Sequence, residues 1–215
     1  MQNFFAIADI NSKDIIGHIS ELNFDVGIGD ILWSLYSGAA LIPIRSEQIL
    51  ETPQLLERWK ATVWSSAPSV AKNIVTFHDA RGTSCTTLKK SFFIGEKLFK
   101  SVVESWNKIF TENEVFNIYG PAETTVSISY YKFDPKIGED VLPIGVFYPN
   151  QNVILYDHDQ KKAVDEQGEL LLSGSQVMKG YVDSKMNQKA FFQYEGDRKS
   201  TRLNSSHTDI SRMPS

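Results

Sequence analysis

The chain has 215 residues, of which 41% are hydrophobic and 12% aromatic, enough to fill a core, so a wholly disordered chain is excluded. Its 22 basic and 26 acidic residues give a net charge of −4, which is too near neutral to make nucleic acid or an anionic membrane the expected partner. A single cysteine, Cys85, excludes an internal disulfide. Because no apolar run approaches the roughly 18 residues of a membrane span and the N-terminus lacks a secretory pattern, we expect a globular cytoplasmic protein.

Short apolar runs alternate with helical patterns in the first part of the chain. Buried strands are predicted at residues 39–44, 62–66, 91–94 and 115–119. Helices are predicted at residues 53–60, 68–77 and 97–110. Such alternation is typical of βαβ units, so we predict an α/β fold with a mainly parallel sheet and flanking helices, occupying residues 1–137.

The pattern changes after about residue 126. Residues 126–130 alternate between apolar and polar, and further strands are predicted at 152–156 and 168–174, with a polar turn at 157–162. A last helix is predicted at 184–192. We therefore predict a smaller, β-rich and barrel-like subdomain over residues 138–196.

The stretch from Asp197 to Ser215 differs in composition from the rest. It has no aromatic residue, and its first eleven residues, DRKSTRLNSSH, resemble the in-frame translation of a common short-read sequencing adapter. We therefore expect residues 197–215 to be a disordered, non-native tail. The natural chain is then expected to continue beyond Gly196.

Three stretches carry candidate chemistry. Residues 117–125, NIYGPAETT, place a carboxylate and two hydroxyls after a strand, at the sheet edge where ligands bind in α/β folds; alternatively, this is an ordinary turn with Glu123 in solvent. Asp25 precedes a glycine-loosened segment and either caps the next helix or points into a pocket. Residues 168–181, by themselves, indicate only a strand between two turns.

Taken in this order, the motifs resemble the adenylate-forming, AMP-binding superfamily. The resemblance is carried by Asn23-Phe24-Asp25, Gly95-Glu96-Lys97-Leu98, the 117–125 stretch, Leu142-Pro143-Ile144-Gly145, and GELLLSG with MKGY at 168–181. Within that superfamily, the chain is most similar to amino-acid adenylation domains. Residues 62–69 and 190–196 resemble the D-alanine-activating ligases that charge a carrier protein.

The resemblance implies an enzyme that joins an amino acid to ATP with Mg²⁺ and passes the acyl group to a phosphopantetheine carrier protein. It implies that Glu123 coordinates Mg²⁺ and acts in catalysis with Thr124, and that Asp25 pairs with the substrate ammonium. The nucleotide contacts it implies are Gly95, Glu96, Asn117, Tyr119 and Gly120. The substrate pocket it implies consists of Asp25, Val26, Gly29, Ile94, Ile118, Val126 and Ser127.

The sequence departs from the family pattern at three positions. Ala122 replaces the usual threonine before the glutamate, so Thr124 or Thr125 would have to supply the hydroxyl, or activity is lower. Ile94 stands where D-alanine ligases carry cysteine, which reshapes the pocket. Gly27 replaces the serine that usually follows Phe-Asp-x.

Three family elements are missing from the printed sequence: the phosphate loop ending in Pro-Lys-Gly, the ribose-binding Thr-Gly-Asp stretch and the domain with the catalytic lysine. We therefore expect a piece of a longer ligase that is inactive by itself. The alternatives are a fragment of an acyl- or aryl-CoA ligase, or a non-catalytic fragment with at most weak nucleotide binding.

Overall fold

Strands separated by helices build the first part of the molecule, as the sequence pattern predicts. The computed structural model describes residues 2–157, 159–160, 162–164, 168–194 and 197–202. The helices are α1 (Gln2–Ala8), α2 (Asp25–Ser37), α3 (Thr52–Trp59), α4 (Pro68–His78), α5 (Lys100–Ile109) and α6 (Ser184–Ala190), with 3₁₀ helices at Ser46–Glu51 and Ala122–Thr124. The strands are β1 (Ile15–His18), β2 (Ala40–Pro43), β3 (Val63–Ser66), β4 (Lys90–Ile94), β5 (Glu114–Tyr119), β6 (Ser129–Lys132), β7 (Val146–Phe147), β8 (Gln151–Asp157), β9 (Lys162–Val164), β10 (Glu169–Gly174), β11 (Phe191–Tyr194) and β12 (Asp197–Arg202).

The chain divides into two compact units, residues 1–118 with 131–142, and residues 119–130 with 143–215. In the first unit, β1 to β5 form a parallel sheet in the order β2-β1-β3-β4-β5. Parallel pairing brings the carboxyl ends of these strands to one edge of the sheet, which is the edge that carries ligand sites in α/β folds. The predicted α/β class with a mainly parallel sheet is confirmed.

Two buried tryptophans anchor the core of this first unit. Trp64 on β3 and Trp106 on α5 are fully buried, with ring centroids 6.4 Å apart. Each indole N–H reaches a hydroxyl at 3.0 Å, from Trp64 to Ser66 and from Trp106 to Ser91. Both indole N–H donors are therefore satisfied when these rings are buried. A buried N–H without a hydrogen-bond partner would oppose folding.

The second unit contains an antiparallel sheet in the order β11-β12-β10-β8-β9. Its core cluster joins Ile128 to Leu155, Leu170 and Leu172. Because Ile128 packs with strands β8 and β10, residues 119–130 belong to this unit and not to the α/β part. The division therefore differs from the predicted boundary between residues 137 and 138.

Two further expectations differ from the structure. Asp197–Arg202, expected within a disordered tail, forms β12 and pairs with both β10 and β11. A strand pairs with its neighbour through backbone N–H and C=O groups, which almost every residue carries. The amino-acid composition of this stretch therefore does not reveal that it pairs. Residues 203–215 lie outside the described residues. The strand expected at 126–130 begins only at Ser129, because Thr125 and Val126 have left-handed backbone angles.

Candidate functional site

In the first unit, predicted site residues lie at the carboxyl ends of two neighbouring parallel strands. Ile94 ends β4 and pairs in register with Ile118 on β5, and both side chains are buried. Asn117, one residue earlier on β5, is also buried and donates from Nδ2 to the Leu142 carbonyl oxygen at 3.3 Å. These three side chains thus share one edge of the sheet.

The turn after β4 contains two of the predicted nucleotide contacts. Gly95 has φ +96°, a backbone angle that favours glycine. The Glu96 carboxylate accepts hydrogen bonds from the backbone N–H and the hydroxyl of Ser69, both at 2.9 Å. Ser69 lies in the first turn of α4, where a carboxylate satisfies an otherwise unpaired N–H and complements the helix dipole. The side chain of Glu96 therefore joins this turn to α4.

Asp25 is the first residue of α2, and Phe24 occupies the N-cap position without a side-chain hydrogen bond. Asp25 does not cap the helix, so of the two alternatives for this carboxylate the capping role is wrong. The Asp25 side chain forms no hydrogen bond or ion pair with any other residue that the structure describes. Val26 is half-buried and Gly29 is buried one turn further along α2.

A buried carboxylate on α2 escaped the sequence analysis. Asp30 is fully buried, with Oδ2 2.9 Å from His18 Nδ1, and Oδ1 accepts from the Ser65 hydroxyl at 2.5 Å. Burial raises the pKa of Asp30, against the smaller opposing effects of these two partners. Since His18 lies on β1 and Ser65 on β3, Asp30 ties the helix that carries Asp25 to the sheet. In the sequence, the one feature that could have indicated this buried carboxylate is that Asp30 stands among the apolar residues of α2.

In the second unit, residues 119–128 form a tight loop, here called the 119–128 loop. The Ile128 N–H donates to the Tyr119 carbonyl oxygen at 2.8 Å and closes it. A Cβ on Gly120 would lie 2.5 Å from Ser127 Cα, so only glycine allows this approach. Thr124 is fully buried, and its hydroxyl donates to the Pro121 carbonyl oxygen at 2.9 Å.

The 119–128 loop contains two consecutive β-branched residues with left-handed backbone angles. Thr125 has φ +61° and Val126 has φ +70°, which are outliers for β-branched side chains. The Ser127 N–H donates to the Thr125 carbonyl oxygen at 2.9 Å, which makes a γ-turn of the rare positive-φ kind around Val126. Such angles are unfavourable by about 1–3 kcal/mol each and persist only where surrounding contacts hold them.

Glu123, the predicted magnesium ligand, is held by the segment around the MKGY motif. Its carboxylate accepts a hydrogen bond from the Tyr181 hydroxyl, and its carbonyl oxygen accepts from the Met178 N–H at 2.8 Å. Burial, together with the hydrogen bond and charge of Glu123, raises the pKa of Tyr181 to about 12. By itself the sequence of this segment indicated only a strand between two turns, and nothing local links it to Glu123.

Tyr119, the predicted adenine platform, ends β5. The residue as a whole is half-buried, but its hydroxyl oxygen is buried with no hydrogen-bond partner among the described residues. Burial raises the pKa of this phenol above its usual range. A neutral aromatic ring of this kind is suited to stacking on a planar base.

The donors present near Glu123 fit a magnesium ion brought by a nucleotide. No group of three or more His, Cys, Asp or Glu side chains that could hold a metal occurs in the described ranges. Mg²⁺ is commonly bound by one or two carboxylates together with substrate phosphates, and does not need a full protein cage. One carboxylate, that of Glu123, suffices for such an arrangement.

Comparisons with known proteins agree with this architecture. The family model described as "AMP-binding enzyme" matches residues 1–182. The D-alanine–D-alanyl carrier protein ligase of Bacillus licheniformis is 30% identical over 198 residues, covering 87% of this chain and 39% of the relative. The corresponding ligase of Listeria monocytogenes is 29% identical over 81% of this chain and 36% of the relative. The chain thus spans about two fifths of the length of these curated relatives.

Solved structures share this fold. The Vibrio cholerae adenylation domain AlmE, solved with glycyl-adenosine-5'-phosphate, is 32% identical with a TM-score of 0.83, over 94% of this chain and 39% of that one. IdnL7, at 23% identity, shares the fold with a TM-score of 0.85 over 94% of this chain and 42% of its own. No helix in the described ranges is both long and apolar enough to span a membrane. Because the family model matches residues 1–182, most of its length, the chain belongs to the AMP-binding enzyme family.

Proposed function

We propose that this chain is part of an ATP-dependent ligase that activates an amino acid as an aminoacyl-adenylate and transfers it to the phosphopantetheine thiol of a carrier protein. The similarity to D-alanine–D-alanyl carrier protein ligases supports both the amino-acid substrate and the carrier-protein partner. The amino-acid carboxylate attacks the α-phosphorus of ATP, and pyrophosphate leaves. The carrier thiol then displaces AMP from the acyl carbon.

Asp25 is the observation that carries the amino-acid assignment. Its carboxylate begins α2 with no hydrogen bond or ion pair among the described residues, and a substrate ammonium would supply the missing partner. The helix dipole favours negative charge at this position. An acyl- or aryl-CoA ligase has no substrate ammonium to neutralise, so this carboxylate disfavours the alternative.

The other predicted residues have roles in the same reaction. Gly95, Glu96 and Asn117 would contact the nucleotide through the turn and strand ends that carry them, with the ring of Tyr119 against adenine and Gly120 allowing close approach. Glu123 would bind Mg²⁺, which when present neutralises charge on the phosphates. The family resemblance assigns the remaining substrate contacts to Val26, Gly29, Ile94 and Ile118 in the first unit, and to Val126 and Ser127 in the second.

Thr124 fits its predicted catalytic role less well than Glu123 does. Its hydroxyl is buried and donates to Pro121, and the Thr125 hydroxyl donates to the Gln176 carbonyl oxygen at 2.8 Å. In this conformation both hydroxyls stabilise the 119–128 loop. A direct contact between Thr124 and the α-phosphate stays a prediction that would require the loop to rearrange.

The decisive test is Asp25→Ala in a full-length ligase that contains this sequence. Removing one member of a buried charge pair costs about 3–5 kcal/mol, so we expect amino-acid-dependent pyrophosphate exchange into ATP to lose a factor of about 10² or more in kcat/KM. Asp140→Ala, at an exposed aspartate, is the matched control and should leave exchange unchanged. Normal kcat/KM in Asp25→Ala would show that Asp25 is not the ammonium partner, and would remove the main argument against a carboxylate substrate that lacks an amine.

A further inference from the structure

Gln176 lies in the segment between β10 and α6 and contacts both sides of the strained turn in the 119–128 loop. Its side-chain Nε2 donates to the Thr124 carbonyl oxygen at 3.2 Å and to the Ser127 carbonyl oxygen at 2.6 Å. An amide nitrogen has two N–H donors, and both are used here. The two acceptors flank Thr125 and Val126, the residues with positive φ.

The backbone of Gln176 is fixed to the same loop and to the antiparallel sheet. Its carbonyl oxygen accepts from the Thr125 hydroxyl at 2.8 Å. Its N–H donates to Gln151 Oε1 at 3.4 Å, while Gln151 Nε2 donates to the Ser175 hydroxyl at 3.1 Å. Gln151 begins β8, so a residue of the antiparallel sheet holds the backbone of Gln176, whose side chain in turn contacts the loop.

We infer that Gln176 is a positioning residue that keeps the 119–128 loop in its strained form and thereby sets both nucleotide binding and amino-acid selectivity. The inference rests on the proposed function for the roles of Glu123, Val126 and Ser127. Glu123 lies three residues before Val126 and is joined through Met178 and Tyr181 to the same segment as Gln176. If the γ-turn relaxes, Ser127 moves because it is part of the turn, and Glu123 moves with it because only Thr124 separates Glu123 from the turn.

The first experiment replaces the amide without changing its length. Gln176→Met in the full-length ligase should lower kcat/KM for ATP in pyrophosphate exchange by about 10- to 100-fold, since misplacing a binding group by about 1 Å has effects of this size. It should also change the ranking of amino acids in a panel of D- and L-substrates. Gln160→Met is the control, because Gln160 is exposed and its side-chain amide donates to Asp157 in the turn that follows β8. Unchanged kcat/KM and ranking in Gln176→Met would overturn the inference.

The second experiment separates positioning from general support of the fold. Val126→Gly makes the positive φ accessible without strain, so Gln176 has less to hold in that background. We expect Gln176→Met to lower the Tm and the affinity for ATP with Mg²⁺, by calorimetry, clearly less in Val126→Gly than in the parent. Equal losses in both backgrounds would overturn the inference.

The failure of the proposed function would be seen separately. If none of the amino acids tested supports pyrophosphate exchange by the parent ligase, the amino-acid assignment is wrong. The Tm cycle of Gln176→Met and Val126→Gly still decides whether Gln176 holds the turn, and additive Tm changes would then reject the positioning role.

Discussion

At the scale of single residues, the 119–128 loop depends on the missing side chain of Gly120. A Cβ at this position would lie 2.5 Å from Ser127 Cα and 2.9 Å from Ile128 N, both backbone atoms that cannot rotate away. We expect Gly120→Ala to lower the free energy of unfolding by about 1–3 kcal/mol, as overpacking does elsewhere, and to weaken ATP binding. Urea denaturation and calorimetry measure the two effects.

Gly138→Ala provides the control for Gly120→Ala. Gly138 is exposed, and a Cβ there meets no atom within 4 Å. Its substitution should leave stability within about 0.5 kcal/mol of the parent, as is usual for surface changes. Equal stability of the Gly120→Ala and Gly138→Ala variants would show that the loop backbone can shift to accommodate a Cβ at position 120 without a loss of stability.

Ile94 gives a prediction about selectivity. Its side chain is 6% exposed at the end of β4, next to Ile118. If it borders the substrate, Ile94→Cys should change the preference between D- and L-alanine by about tenfold or more, because methylene-scale changes in an apolar pocket are worth about 1–3 kcal/mol. Ile94→Ala should admit larger side chains. Exchange assays over a panel of amino acids test this, and an unchanged profile would place Ile94 outside the pocket.

At the scale of elements, Asp30 connects α2 to β1 and β3, and its ionisation affects stability. Its pKa in the unfolded chain is near 3.8, and burial raises it in the folded state. As pH rises from about 3.8, the unfolded chain loses this proton first, so the contribution of Asp30 to stability is present at lower pH and is lost as pH rises through the folded pKa.

Asp30→Asn isolates this contribution, because the amide has nearly the same shape and does not titrate. The free energy of unfolding of the parent, relative to that of Asp30→Asn, should fall as pH rises from about 4 toward neutrality. Urea denaturation of both proteins at several pH values measures this difference. A difference that grew with pH would mean that the charged pair with His18 outweighs the desolvation of Asp30.

At the scale of the whole molecule, the 215-residue chain is expected to be inactive by itself. Its sequence contains no Pro-Lys-Gly phosphate loop, and it spans 39% of the length of the Bacillus licheniformis relative. Each lost group that stabilises the transferring phosphoryl typically lowers the rate by about 10²–10³. Amino-acid-dependent pyrophosphate exchange by the 215-residue chain, compared with that of a full-length ligase, is the measurement. Robust exchange by the chain would refute this prediction.

The fold class and the edge that carries the candidate site could be predicted from the sequence. Apolar runs such as those ending at Ile94 and Tyr119 are short, and helical spacing recurs between them, so local periodicity was enough to indicate parallel βαβ units. The family motifs then marked Asp25 and Glu123, because the residue types required by the chemistry occur in a fixed order along the chain. Both kinds of information are local, and the sequence contains them without reference to the folded state.

Contacts between segments distant in sequence were decided only by the tertiary structure. Gln176 meets Ser127 across 49 residues, and Asp30 meets Ser65 across 35, and no periodicity records such pairings. The alternation at 126–130 predicted a strand, yet hydrogen bonds from Gln176 stabilise a turn there whose backbone angles are unfavourable in isolation. The sequence by itself therefore determined the fold class, many of its strands and helices, and the residues with suitable chemistry. The packed structure decided which of those residues hold one another, because only packing brings together groups that the chain separates.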